Sequence, residues 1–319
     1  MFELMKKKID GKGIRIVFPE GEDIRILEAC YKLHKEGILI PVIIGNKDKV
    51  NKLAKKFNGD LSDVEVIDMD SYNKNEMIKK LVEIRAGKNT EIEVAEWLKK
   101  SNYFATMLVK MGIVDGLVGG ATYSTGDTVR PSLQIIKTQP GVSKVSSAFV
   151  MVRDSERYIM GDCAINISPT SEDIAATAIG CASMARVFEI DPKVALLSFS
   201  TMGSASGEEV EKVSKAKDIL DSIKTDFEYD GELQFDAAFV ESVGTTKAPN
   251  SKVAGKANTF IFPSLEAGNI GYKIAQRLGG FEAIGPLLIG LNAPVNDLSR
   301  GCNVDEIYKL SIITAVQSL

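Results

Sequence analysis

A single histidine, His34, serves this whole sequence of 319 residues. That scarcity argues against serine–histidine triads and multi-histidine metal sites, so no metal is expected. His34 lies in CYKLHKEG, near the end of an early helical segment, where a solvated or C-terminal capping imidazole is expected. Cysteine is sparse too. Cys30, Cys163, Cys181 and Cys302 are far apart with no CxxC pair, so neither a zinc site nor a disulfide framework is suggested. A reducing cytoplasm fits that usage. No uninterrupted apolar segment reaches membrane-spanning length, and MFELMKKKIDGKG lacks the apolar core of a signal peptide. The net charge is -4, which argues against a broad nucleic-acid surface but not against a small anion held by a few local arginines.

What is present reads as an ordinary globular chain, 45% hydrophobic and 26% charged, long enough for two domains. Apolar strand-like runs (IRIVF, ILIPVIIG, VEVID, DGLVGG) alternate with longer amphipathic segments, the pattern of an α/β fold with mostly parallel sheets. Near residue 145 the pattern resets: SAFVMV and RYIMG read as paired strands, and a long helix with an N-cap at Thr170 follows. VALLSFS, ANTFIFP and AIGPLLIG continue as strands with helices between. The expected division is residues 1–145 plus 295–319 as one α/β domain and 146–294 as the second, the last helix (from about Asn303) returning to the first.

Four stretches could carry chemistry. In GGATYSTGDTVRPSLQIIKT (119–138), Gly119 and Gly120 allow close backbone approach, and Ser124, Thr125 and Thr128 offer hydroxyls. Arg130 is placed at a helix entrance, with Pro131 in the first turn of PSLQIIK, a combination suited to an oxyanion. A polar turn with an N-cap threonine would look the same. The stretch matches neither a Walker P-loop nor GxGxxG. In LVEIRAGKN, Arg85 near a helix end has a plain role as a dipole partner. The loop of LLSFSTMGSASGEEVEK follows a strand, where ligands of open α/β sheets bind. Last, PVNDLSRGCNVDEIY (294–308) sets Ser299 and Arg300 before Asp305 and Glu306. Asn303 and Glu306 form a capping-box pattern, which explains the acids structurally but not Ser299 or Arg300.

Four long stretches, GGATYSTGDTVRPSLQIIKT, DCAINISPTSEDIAATA, APNSKVAGKANTFIFPSLEAGNIGYK and PVNDLSRGC, resemble the signatures of the phosphate acetyltransferase (phosphotransacetylase) family, and the similarity runs in order over essentially the whole chain. The resemblance implies two α/β domains around a cleft, an architecture broadly like isocitrate and isopropylmalate dehydrogenases, and a tendency to dimerise. It implies reversible conversion of acetyl-CoA and phosphate to acetyl phosphate and CoA, with no metal or prosthetic group. On the family pattern the cleft arginines are Arg85, Arg130 and Arg300, the adjacent serine is Ser299 and the cleft cysteine is Cys163. The family's aspartate, proposed as base for the CoA thiol, is replaced by Glu306, with Asp305 beside it; that departure leaves the base open. A glutamate near pKa 4.3 facing a thiol near 8.5 makes proton transfer uphill by roughly 4 units, about 6 kcal/mol, so stabilisation of the thiolate by Arg300 should outweigh the base. The rival readings are a phosphate acyltransferase for longer groups such as butyryl, a non-catalytic acyl-CoA sensor, and an acetyl-enzyme route through Cys163.

Overall fold

The run IRIVF becomes the central strand of a parallel sheet, and the first unit of the chain is built outward from it. In the computed structural model, which describes residues 1–319, α1 (Phe2–Ile9) precedes β1 (Arg15–Phe18), and α2 (Ile24–Glu36), β2 (Ile40–Ile44), α3 (Lys47–Ala54) and β3 (Glu65–Ile67) alternate after it. Three helices, α4 (Asn75–Arg85), α5 (Glu91–Trp97) and α6 (Ser101–Lys110), lead to β4 (Gly116–Gly119) and α7 (Thr125–Pro131). The middle of the chain holds β5 (Ser146–Arg153), β6 (Glu156–Gly161), α8 (Ser171–Val187), β7 (Lys193–Leu197), α9 (Glu208–Asp221) and β8 (Glu228–Leu233). It continues through α10 (Phe235–Phe239), α11 (Glu241–Lys247), β9 (Thr259–Ile261), α12 (Leu265–Arg277) and β10 (Glu282–Ile289). The chain ends with β11 (Val295–Asp297) and α13 (Val304–Gln317).

These elements gather into two units, Met1–Thr138 with Leu291–Leu319, and Gln139–Gly290. The first unit holds the sheet β11-β4-β1-β2-β3, parallel at every pairing. Ile16, Val17 and Phe18 are fully buried, as expected of a strand covered on both faces. After β3 the chain returns to the other side of β1 to lay down β4, so strand order reverses between β1 and β4. Ligands of open α/β sheets bind outside the strand ends at such a point. Helix α13 starts at the Asn303–Glu306 capping box and packs on α2 and α1 through Ile307, Leu310, Ile313 and Val316. Burying each such side chain contributes about 1.5–3 kcal/mol.

The second unit has the sheet β10-β5-β6-β9-β7-β8. Here β10–β5 and β5–β6 are antiparallel, whereas β6–β9, β9–β7 and β7–β8 are parallel. Helix α8 starts at Thr170, whose hydroxyl accepts from the Asp173 N–H.

The structure departs from the sequence reading in three places. Val295–Asp297 of PVND is the edge strand β11, which pairs in parallel with β4. Strand β8 (EYDGEL) was not foreseen, because its exposed, charged first half and central Gly231 hide the period-2 pattern. Pro131 does not open a helix but closes α7, and residues 132–136 continue as a π-helical turn. Proline has no N–H to offer the Asp127 carbonyl four residues back, and the Asn102 side-chain amide donates to that oxygen instead, at 2.7 Å.

Candidate active site

At the sheet's switch point the backbone donors after β4 are already occupied. Glu20, two residues beyond β1, is buried with its carboxylate inside the turn 120–123. Its Oε2 accepts from the N–H groups of Gly120 (2.8 Å) and Ala121 (3.0 Å). Its Oε1 accepts from the N–H groups of Thr122 (2.5 Å) and Tyr123 (3.1 Å) and from the Thr122 hydroxyl (2.6 Å). The amides of this turn are thus satisfied by the protein's own carboxylate. Gly120 has φ +106°, and a Cβ there would lie 2.3 Å from Asp297 Oδ1, so only glycine fits.

The helix that follows is set by Ser124, not by a threonine. The Ser124 Oγ accepts from the Asp127 N–H (3.3 Å) and donates to Asp127 Oδ2 (2.6 Å), a reciprocal cap. Thr125 is exposed, while Thr128 turns inward and is buried. Both hydroxyls lie near Asp297, which ends β11 and is 1% exposed. Burial raises the Asp297 carboxyl above its ordinary range; the two hydroxyls partly offset this and the Glu20 charge adds to it. Neither Asp297 Oδ1 nor Thr128 Oγ1 completes a hydrogen bond, so these groups attract without reaching bonding geometry. Arg130 falls in the last turn of α7, exposed, and not at a helix entrance.

The arginines of this unit divide cleanly. Arg15 is paired with Glu65 (2.7 Å) and Arg25 with Asp23 (2.7 Å). Arg85, Arg130 and Arg300, the three singled out from the sequence, are in no ion pair. Arg85, at the end of α4, donates from Nε to Asn89 Oδ1 (2.8 Å) and stacks over the Trp97 ring at 5.6 Å. Trp97 in turn meets Tyr103 at 5.2 Å. Burial pushes the Tyr103 hydroxyl up, and the Arg130 and Arg85 charges both pull it back. A guanidinium group outside any ion pair is available to hold an anion through its fork of donors.

Ser299 and Arg300 are exposed in the turn after β11. The Leu298 N–H donates to Gly119 O (2.6 Å), which sets this turn beside the 120–123 turn. Arg25 then ties the two: Nη1 donates to the Arg300 and Cys302 carbonyls and Nη2 to the Ala121 carbonyl, each at 2.9 Å. The sequence reading missed both Glu20 and Arg25; their one visible signal is the cluster PEGEDIR directly after a buried strand. Glu306 is committed to the α13 cap, its Oε2 accepting from the Asn303 N–H (3.0 Å), and Asp305 is paired with Lys309 (2.8 Å). Arg300 and Glu306 do not pair.

A cavity of about 550 Å³ opens at the ends of β1, β2 and β3, lined by Glu22, Asp23, Asp68 and Asp70 against Lys49. None of the three unpaired arginines lines it, and its acidic wall does not suit an anion. No cluster of acidic, cysteine or histidine side chains has the arrangement of a metal site. In the second unit, Cys163 is fully buried, its thiol pushed well above the ordinary value by burial, with Asp162 and Cys181 adding to the shift. The cysteines are all free and buried. No helix is long and apolar enough to cross a membrane.

The first unit thus combines an α/β switch point with three arginines in no ion pair, a combination compatible with anion binding. The family model described as "Phosphate acetyl/butaryl transferase" matches residues 1–315. The chain is 54% identical over 320 residues to "Phosphate acetyltransferase" of Bacillus subtilis (strain 168), covering 100% of this chain and 99% of that one. The Staphylococcus aureus (strain MRSA252) protein of the same name is 52% identical over 324 residues, with 100% and 99% covered. The crystal structure of a phosphotransacetylase from Streptococcus pyogenes matches with TM-score 0.97 at 52% identity, over 99% of this chain and 97% of that one. The chain therefore belongs to the phosphate acetyl/butyryl transferase family.

Proposed function

We propose that this protein catalyses reversible acetyl transfer between CoA and inorganic phosphate, acetyl-CoA + phosphate giving CoA + acetyl phosphate. Family membership and relatives named phosphate acetyltransferase support the reaction. The observation that carries the site is the division of arginines: Arg15 and Arg25 are neutralised internally, and Arg85, Arg130 and Arg300 are not. CoA, acetyl-CoA, phosphate and acetyl phosphate are substrates, and no prosthetic group enters the scheme.

In the direction that makes acetyl-CoA, the thiolate sulfur bonds to the acetyl carbonyl carbon. The tetrahedral adduct then loses phosphate by cleavage of its carbon–oxygen bond, and the thiol proton ends on the phosphate. Arg300 and Ser299 are assigned to the developing oxyanion, and Arg85 and Arg130 to phosphate groups of the substrates. Ser124 and Thr125, at the exposed start of α7, border that site; Thr128, inside α7, and Cys163 are both buried and are assigned no direct contact with substrate. Glu306 and Asp305 remain the candidate bases beyond Arg300, and each already has a structural partner.

The deciding experiment follows loss of thioester absorbance from acetyl-CoA, with and without phosphate, and then from butyryl-CoA. Phosphate-dependent loss favouring acetyl-CoA is expected. A preference for butyryl-CoA would move the protein to the other half of its family, and saturable CoA binding without turnover would leave a sensor. We further take the two units as its two domains, the cytoplasm as its compartment, and a homodimer as its assembly. Ile270, Ile274 and Leu278 make an exposed apolar stripe on and just beyond α12, with Leu278 85% exposed. Leu278→Glu should shift the protein to monomer in light scattering; an unchanged mass would discard this stripe as the interface.

A further inference from the structure

We propose that Glu20 is a positioning residue for the acetyl transfer: its carboxylate fills the backbone cradle 120–123 and thereby fixes two of the site's three arginine-bearing segments, α7 with Arg130 and the turn of Ser299 and Arg300. The inference rests on the transferase reading above. All five groups facing the carboxylate donate, four of them backbone N–H groups that can do nothing else. Such a convergence of amides is an anion site, and here the anion comes from another strand, 100 residues away in sequence at Gly120.

Two chains of contact run outward from the cradle. The first is covalent: residue 123 is followed by the Ser124 cap and by α7, which carries Arg130. The second runs from the Ala121 carbonyl through the Arg25 fork to the Arg300 and Cys302 carbonyls, which hold the turn of Ser299 and Arg300. An empty cradle would leave four amides pointing at one another's partial positive charge, and the turn would open. Both arginines would then move together. Displacement of reacting groups by about 1 Å costs roughly 100-fold in rate.

Glu20→Ala should therefore lower kcat by about 100-fold, with acetyl phosphate and CoA as the assayed pair. Formate, a carboxylate small enough for the vacated cradle, should restore activity at least tenfold in Glu20→Ala and raise its melting temperature. Wild type should show neither effect, nor should the variant in chloride of equal ionic strength. Glu20→Gln keeps the volume but turns an NH2 group towards backbone donors, so it should lose at least tenfold in kcat while remaining folded. A loss in Glu20→Ala that formate leaves untouched would overturn the proposal. Should Glu20→Ala fail to fold, Glu20→Gln decides alone, and a kcat within threefold of wild type overturns the positioning role. Wild type inert towards acetyl phosphate and CoA would overturn the transferase reading and the positioning role with it, whereas an active wild type matched by an equally active Glu20→Gln overturns the positioning role only.

Discussion

Each unit of this protein uses the same device at the end of a central strand, and the two uses differ in what the device presents. In the first unit Glu20 gathers four backbone N–H groups of the 120–123 turn. In the second, Asp162 gathers those of Ala164 (3.0 Å), Ile165 (3.1 Å) and Asn166 (2.9 Å), along with the Ser147 hydroxyl. The Asp162 cradle is local, closing on residues two to four positions ahead, and what it fixes is the buried thiol of Cys163. The Glu20 cradle is long-range, and it fixes turns that lead to exposed, unpaired arginines. A carboxylate holding a nest of amides thus marks a rigid loop, not a ligand site. Chemistry is signalled by the charges that the rigid loop leaves unneutralised.

The sharpest way to break this contrast is to remove a presented charge. Arg300→Ala should lower kcat by about 100- to 1,000-fold, the size of effect seen when one oxyanion donor is lost. Glu306→Gln should stay within about tenfold, because glutamine serves the α13 capping box as glutamate does. Steady-state kinetics with acetyl phosphate and CoA read both. If Glu306→Gln proved the more damaging, the base would dominate, and thiolate stabilisation by the guanidinium would be the wrong account.

A smaller effect is expected in the second unit. Burial and neighbouring negative charge push the Cys163 thiol up, which disfavours a thiolate there. Cys163→Ser should keep kcat within about threefold while losing about 1–3 kcal/mol of stability, the cost of burying a hydroxyl without a good partner. Trapping of acetylated protein from acetyl phosphate, lost in Cys163→Ser together with turnover, would reinstate an acetyl-enzyme route and erase the distinction between the two cradles.

Much of this contrast was legible in the sequence, and the illegible part has a physical cause. Buried runs such as IRIVF and DGLVGG declare parallel strands because both faces are covered, and the Thr170 and Asn303 caps mark their helices within three residues. Arg85, Arg130 and Arg300 stand out in their local stretches and the family resemblance assigns them to the cleft; the structure adds that they are in no ion pair. What failed was anything decided at long range. Whether the amides of residues 120–123 are free depends on Glu20, and whether Pro131 starts or ends a helix depends on Ser124 and on Asn102 capturing the Asp127 carbonyl. A three-residue edge strand such as Val295–Asp297 has no room for a periodic pattern, so only its pairing with β4 reveals it.

The finest test lies within the first unit, between its two buried carboxyls. Glu20 meets five donors; Asp297, on the other side of Gly120, has an Oδ1 with no completed hydrogen bond, and burial raises its pKa from 3.8. A carboxyl with a raised folded-state pKa binds its proton more tightly folded than unfolded. Stability is therefore lost as pH rises from the unfolded value towards the folded one, and the deficit persists above it. Asp297→Asn removes that penalty while keeping the shape. The variant should melt higher than wild type at pH 7, by about 2–4 °C for each kcal/mol recovered, and the gap should close as pH falls to 3.8. Melting curves of both proteins between pH 4 and pH 8 measure it. A gap that did not vary with pH would mean that burial does not raise the Asp297 carboxyl, and the contrast between it and the fully partnered Glu20 would fall.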